Sequence, residues 1–214
     1  MEVIGIDTGR LTKSRLEVTI IRVISPLLFW IQLSNSEKDL QELQEELDFR
    51  MARRRKYLHC WPEDIKEEED VVVKDGDSWK RGWIEKINKE KTIAKICLGD
   101  YGRCIWCPTH DIYYLENRFR QLPWQAVACG LAYTGSVGRV TTWPEKTQAL
   151  CRLIAEGHKG WVNIVHSFRR GAALVKLQVQ GEDYEGLYNL RDVLVKLGHA
   201  QLTTKLTVDV YLAV

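Results

Sequence analysis

The sequence predicts a mainly β chain with helices, an α+β fold in two parts, and three observations carry that reading. Runs rich in Val, Ile, Thr and aromatic residues recur along the chain. Between residues 71 and 116 they come as five short segments parted by polar turns, the pattern of a small, strongly bent antiparallel barrel. On both sides of that block, longer β-rich runs alternate with amphipathic helical patterns.

Residues 15–35, RLEVTIIRVISPLLFWIQLSN, read as two strands, with Ser25-Pro26 as the turn or bulge between them. In SEKDLQELQEELDFRMARRRKYL, Leu40, Leu43, Leu47 and Met51 share one helical face and predict a helix over 37–56. Ser34 with Glu37, or Ser36 with Asp39, offers a capping-box start. The acidic, Pro-containing WPEDIKEEED is a connecting loop. The block of short strands follows, with turns at Asp75-Gly76, Asn88 to Lys91 and Asp100 to Arg103.

Residues 118–132, RFRQLPWQAVACGLA, predict a helix with Pro123 in its first turn. WPEKTQALCRLIAEG predicts another, ended by Gly157. GWVNIVHSF and AALVKLQVQ read as a strand pair, LYNLRDVLVKLGHA as a helix stopped by Gly198, and the tail KLTVDVYLAV as one more strand. There is no internal repeat and no low-complexity segment.

Composition sets limits. Apolar residues make up 45% of the 214 and charged residues 28%, ordinary for a soluble globular protein. Lys and Arg number 31 against 29 Asp and Glu, so no global field draws nucleic acid, and any such affinity must be local. No run approaches the roughly 18 apolar residues of a membrane helix, and the start lacks the basic head and apolar core of a secretion signal. The six cysteines are therefore expected as reduced thiols in an intracellular protein.

Several motifs in this order resemble the extended Tudor domain, a Tudor barrel inserted into a staphylococcal-nuclease-like OB fold. RVISPLLFWIQL looks like that family's first hairpin, and WKRGWIEKI like its Trp-Tyr-Arg-Ala-x-Ile/Val strand. GDYGR resembles its Asp-Tyr-Gly-Asn turn, LPWQAVACGL its Leu-Pro-x-Gln-Ala-x-x-Cys-x-Leu segment, and LYNLRDVLVKLGHA its closing helix. The resemblance spans roughly residues 15–200. It implies an SH3-like barrel over 61–120. It places the OB-type subdomain in residues 1–60, with the helix 37–56, and in 121–214, opened by a linking helix.

The resemblance also implies a function: a non-catalytic peptide-binding scaffold of the piRNA pathway, cytoplasmic and in perinuclear germ granules (nuage). Its partner would be the tail of a Piwi-type Argonaute or another protein of that pathway. Members typically hold symmetric dimethylarginine in a ring of aromatic residues with an asparagine on the guanidinium. Aligned on SWKRG and GDYGR, those cage positions fall at Lys74, Lys80, Leu98 and Tyr101, with Arg103 in the asparagine's place. Only Tyr101 is aromatic. Three of the five are cations, and like charges a few ångströms apart repel by ~1 kcal/mol each in solvent. The expectation is a degenerate cage and binding that ignores arginine methylation.

Three further clusters stand out in the sequence. Cys104-x-x-Cys107 with His110 and Cys97 has the residue types of a metal or redox site, but strand positions three apart face opposite ways, so small buried hydrophobes are expected and no metal or cofactor. Glu63, Asp64, Glu67, Glu68, Glu69 and Asp70 form an acidic run; with Asp100 they border the groove between barrel and OB half where the family lays its peptides, and can attract an Arg-rich tail. Arg53, Arg54, Arg55 and Lys56 complement a helix C-terminus. As phosphate contacts they give the alternative function, a single-stranded RNA module using the OB half. A self-association surface is the third reading. No nucleophile–base pair is visible among the histidines, and no enzyme is expected.

Overall fold

The structure, a computed structural model, describes all residues except 1, 13, 62, 139–141, 169–170, 182–185 and 205–214. The strand expected at 205–214 lies outside the described residues. In chain order the first elements are β1 (Arg15–Ser25), β2 (Leu28–Leu33), α1 (Glu37–Leu58), β3 (Asp70–Asp75), β4 (Ser78–Ile87), β5 (Ile93–Leu98), β6 (Arg103–Pro108) and β7 (Ile112–Tyr114). Then come β8 (Val127–Leu131), β9 (Thr134–Gly135), α2 (Glu145–Ala155), β10 (Lys159–Phe168), β11 (Ala172–Gln180), β12 (Leu187–Asn189), α3 (Leu190–Lys196) and β13 (Gln201–Leu202). The chain packs as two units. One is Met1–Ile4 with Ser36–Gln125; the other is Gly5–Asn35 with Ala126–Val214.

The second unit is built on a six-stranded sheet ordered β10-β1-β2-β8-β11-β12. Strand β10 also pairs with β11, so β1, β2, β8, β11 and β10 close on themselves, as an OB-type barrel requires. Alternation in β1 and β2 sends Val18, Ile20, Phe29 and Ile31 inward, where they meet Cys129, Leu131, Val175 and Leu177. The amphipathic α2 adds the buried Cys151 and Ala155 to this core, and α3 adds Leu194.

Here the structure corrects one expectation. Residues 118–132 are not a helix: Asn117–Arg120 make a short 3-10 turn, and Val127–Leu131 are strand β8. This strand lies between β2, antiparallel with Ile31 opposite Val127, and β11, parallel with Val175 opposite Leu131. Val127, Cys129 and Leu131 face the main core, while Ala128 packs with Ala132, Ala172 and Leu174 on the other side. A strand covered on both faces has no polar alternation to betray it.

The first unit holds a five-stranded antiparallel sheet ordered β6-β5-β4-β3-β7, the expected barrel. Its interior is Val71, Val73, Ile84, Ile96, Leu98 and Ile112. Helix α1 belongs to this unit, whereas the sequence reading assigned it to the OB part and drew the boundary near residue 60. The reason is its stripe. Leu47 and Met51 are almost fully buried against Val72, Trp79 and Phe119 on the outer face of the sheet. Burying each stabilises the helix on the barrel by ~1.5–3 kcal/mol. The N-terminal residues join the same unit: the Val3 amide donates to Asp70 Oδ2 at 2.9 Å, and the Trp124 amide to the Ile4 carbonyl at 2.9 Å.

Candidate functional site

Three motifs that are distant in sequence converge on one buried cation. Arg81 is 1% exposed, and each of its guanidinium N–H groups has an acceptor. Nε and Nη2 take the two oxygens of Asp100 at 2.7 and 2.8 Å. Nη1 donates to the Phe119 and Leu122 carbonyls at 2.6 and 2.7 Å, and Nη2 also to the Pro123 carbonyl at 2.9 Å. The Trp124 ring lies 4.8 Å from the guanidinium carbon, and the Gln125 amide donates to Asp100 Oδ1 at 3.0 Å. A buried ion pair tolerates its desolvation only when its hydrogen bonds are complete, and here they are. The WKRG strand, the GDYG turn and the LPWQ segment are thus one device. No side chain fits beside it: a Cβ on Gly82 would lie 2.5 Å from the Cys97 carbonyl, and one on Gly99 2.3 Å from the Trp124 ring.

This locks Asp100, expected in a peptide groove, into the interior at 1% exposure. Asp70, from the same expected set, is also buried; Arg120 Nη1 donates to it at 2.5 Å, and burial raises its carboxyl above the ordinary range. Neither carboxylate is offered to a partner. Glu63, Asp64, Glu67 and Glu68 are exposed and Glu69 is half-buried, so these five remain from the acidic set, with Asp64 accepting the Tyr114 hydroxyl at 3.0 Å and Glu67 the Ile87 amide at 3.1 Å.

The five positions aligned to a cage do not form one ring. Leu98 points into the barrel core. Lys74 projects from the opposite face of β3, where it lines a cleft with Arg55 and Trp106. Lys80 and Tyr101 do meet: the ammonium sits 4.4 Å from the Tyr101 ring centroid and donates to the Tyr101 hydroxyl at 2.9 Å. Beside them Arg103 is paired with Asp75.

Sequence reasoning missed the residue that holds this pair. Gln44, on α1, accepts from Lys80 Nζ at 2.9 Å and from the Tyr101 hydroxyl at 3.0 Å. Gln44 is fixed in turn by donating to Asp48 Oδ2 at 2.9 Å and to the Trp79 carbonyl at 2.6 Å. The available signal was the i, i+4 pairing of Gln44 with Asp48 on a helix face. Burial lowers the Lys80 pKa below its ordinary value and pushes the Tyr101 hydroxyl up to about 12. Lys80 is nonetheless a cation at neutral pH, lying on an aromatic face.

The cysteines also depart from expectation. Cys97 and Cys104 stand directly opposite each other on β5 and β6 and form a disulfide, where reduced thiols were expected. Glu85 lies against this bridge, with a carboxylate oxygen 3.2 Å from Cys97 Sγ. The three side chains have ligand atoms within 4.8 Å of one another, but two sulfurs bonded to each other cannot also be thiolate ligands. Cys107, on the other face of β6, is buried, and its thiol is pushed up to about 11. Burial likewise pushes Cys60 and Cys151 up to about 12.

On α1 the four basic residues separate. Arg54 lies 3.8 Å from Glu116, which already takes Arg50 through two bonds at 2.7 and 3.0 Å. Arg53 rests on the Phe49 ring at 4.1 Å, and Arg55 enters the cleft. The run belongs to the barrel unit, not to the OB part to which the RNA reading assigned it. Among the described residues no helix is long and apolar enough to cross a membrane.

Comparison with known proteins agrees with this fold. The Tudor domain family model matches residues 11–133. The third extended Tudor domain of mouse TDRD1, solved with a MILI peptide containing dimethylarginine 45, superposes with a TM-score of 0.81 at 18% identity, covering 94% of this chain and 99% of that one. The human TDRD1 extended Tudor domain, with a symmetrically dimethylated E2F peptide, gives 0.76 at 18% identity, with 94% of each chain covered. A variant of the Drosophila melanogaster Papi domain, with an unmethylated N-terminal Piwi peptide, gives 0.74 at 22% identity, covering 88% and 99%. No curated protein sequence matches this one.

Proposed function

Because this chain belongs to the Tudor domain family, we propose that it is a non-catalytic adaptor that binds the tail of a Piwi-type Argonaute, or of another piRNA-pathway protein, without reading arginine methylation. The observation that carries this is the Lys80 ammonium on the Tyr101 face, held by Gln44. Methylation keeps the guanidinium charge and adds apolar surface, so it is recognised only where free aromatic faces receive it. Here the one aromatic face at the aligned positions carries the protein's own cation. A methylated arginine would have to break two hydrogen bonds of 2.9 Å and leave Lys80 unpartnered.

What remains for an Arg-rich tail is charge. Glu67, Glu68 and Glu69 attract it equally with or without methyl groups, because both forms carry the same charge. The relatives with MILI and Piwi peptides support the kind of partner, and the Papi complex supports a peptide bound unmethylated. A cytoplasmic site of action in the germ granule goes with such partners.

Calorimetry on one Arg-rich peptide, synthesised with and without symmetric dimethylarginine, tests the proposal. The two affinities should agree within about twofold, and charge reversal of Glu67, Glu68 and Glu69 should weaken both alike. Binding of the dimethylated form about tenfold tighter, and lost in Tyr101→Ala, would overturn the methyl-blind reading.

A further inference from the structure

The barrel unit leaves four large aromatic side chains in water: Phe49 is 57% exposed, Tyr57 80%, Trp61 64% and Trp106 63%. Three of them flank the basic end of α1. Phe49, Arg53 and Tyr57 follow at i, i+4 and i+8 and so share one helix face, with the Arg53 guanidinium stacked on Phe49. Trp61 meets His59 edge-on at 6.0 Å, His59 meets Tyr113 at 5.8 Å, and Tyr113 meets Trp79 at 5.1 Å. Trp79, Tyr113 and the exposed Trp106 wall the cleft that Arg55 and Lys74 enter, with Asp111 as its one acid. Its volume is about 240 Å³, below the ~300–1,000 Å³ of sites for drug-sized ligands and suited to a single ring system.

The cations are uncompensated. Among the described residues Arg53, Arg55, Lys56 and Lys74 have no carboxylate within ion-pair distance, while Arg50 and Arg54 share Glu116. An acidic peptide would answer these charges but has no use for bare ring faces. A duplex hides the faces of its bases. A strand with unstacked bases uses both, phosphates on the cations and bases on the rings.

We propose that the C-terminal half of α1 and the Trp106 cleft form a binding surface for single-stranded RNA. The phosphates lie on Arg53, Arg55, Lys56 and Lys74, and one base enters the cleft against Trp106. This surface is separate from the Lys80–Tyr101 pair and does not depend on peptide binding.

Fluorescence anisotropy with the whole chain and a labelled oligouridylate of about ten nucleotides tests it. The logarithm of affinity should fall linearly with the logarithm of salt, with a slope near −0.7 for each phosphate contacted and so about −3 in all. Replacing Arg55 and Lys74 together by Ala should weaken binding by more than about tenfold and flatten the slope by about 1.4. Trp106→Ala should weaken it about five- to a hundredfold and leave the slope unchanged, because stacking releases no counterions. These side chains are exposed, so unchanged melting temperatures separate lost contacts from lost folding. The proposal fails if oligouridylate does not bind at low salt, if an RNA duplex of the same length binds as tightly, or if an oligoglutamate peptide binds with the same dependence on Trp106.

Discussion

Lys80 and Tyr101 are held by each other and by Gln44, and their two protons respond to burial in opposite ways. Lys80 gives up its proton below the 10.5 of a free lysine, because burial disfavours the cation. Over that interval the unfolded chain binds more protons than the native one, so the contribution of Lys80 to stability rises with pH up to 10.5. Tyr101 keeps its proton to about 12 instead of 10.0, again because burial disfavours the anion. From 10.0 upward the native state therefore binds more protons than the unfolded state, and stability falls. The buried thiols of Cys60, Cys107, Cys129 and Cys151 and the Tyr114 hydroxyl are raised as well, so the whole chain loses stability as pH rises above about 9. In chemical denaturation across the alkaline range, Lys80→Met should therefore steepen the loss below pH 10.5 and Tyr101→Phe should lessen it above pH 10; slopes unaffected by either change would contradict this account.

Neither member of the pair could be paired from the sequence. Tyr101 was legible from its Asp-Tyr-Gly turn, but Gln44 lies 57 residues away on a helix, and its role arises only because α1 docks on β4. The burial of Arg81 was hidden for the same reason. Its acceptors are one carboxylate and three backbone carbonyls, and carbonyls carry no sequence signal.

At the level of elements, strands with one wet face were legible and strands with two dry faces were not. β1 and β2 alternate and were read as a hairpin; β8 is buried at every position, and Pro123 with a run of small apolar residues imitated the start of a helix. Pro123 serves instead as a carbonyl acceptor for Arg81 and Gln125. The turn between β5 and β6 depends on this segment, since Gly99 is the seat of Trp124. Gly99→Ala should cost ~1–3 kcal/mol in urea unfolding, the usual penalty of overpacking. Because the clash is with a side chain, trimming Trp124 to Leu in the Gly99→Ala background should return part of that loss. A Gly99→Ala protein as stable as wild type would mean that the ring moves aside freely.

For the whole molecule, the order in which the chain emerges matters. The first unit is complete once Gln125 exists, whereas β1 and β2 wait for β8, β10 and β11 to close their sheet. A chain stopped at Gln125 should keep the β3–β7 sheet and the Arg81 network. It would leave Val18, Ile20, Phe29 and Ile31 without their core. Such a truncation should bind a hydrophobic dye strongly, and limited proteolysis should cut within residues 5–35 while sparing 36–125. Protection of residues 5–35 without dye binding would show that the hairpin finds another cover. The sequence made both sheets legible through their strand texture. It did not reveal which sheet owns α1, because an apolar stripe states that a helix has a partner without stating which.

The register of Ile31 against Val127 has one more consequence. The closed barrel releases the chain at Leu33 and takes it back at Val127, next door, so residues 36–125 are to that barrel no more than an oversized hairpin loop. A loop bounded by neighbouring strand ends can be lengthened, exchanged or rewritten with little effect on the register of its carrier. Natural selection can then treat the inserted unit as a cassette. Its ligand chemistry is free to drift while the host barrel keeps its own pairing.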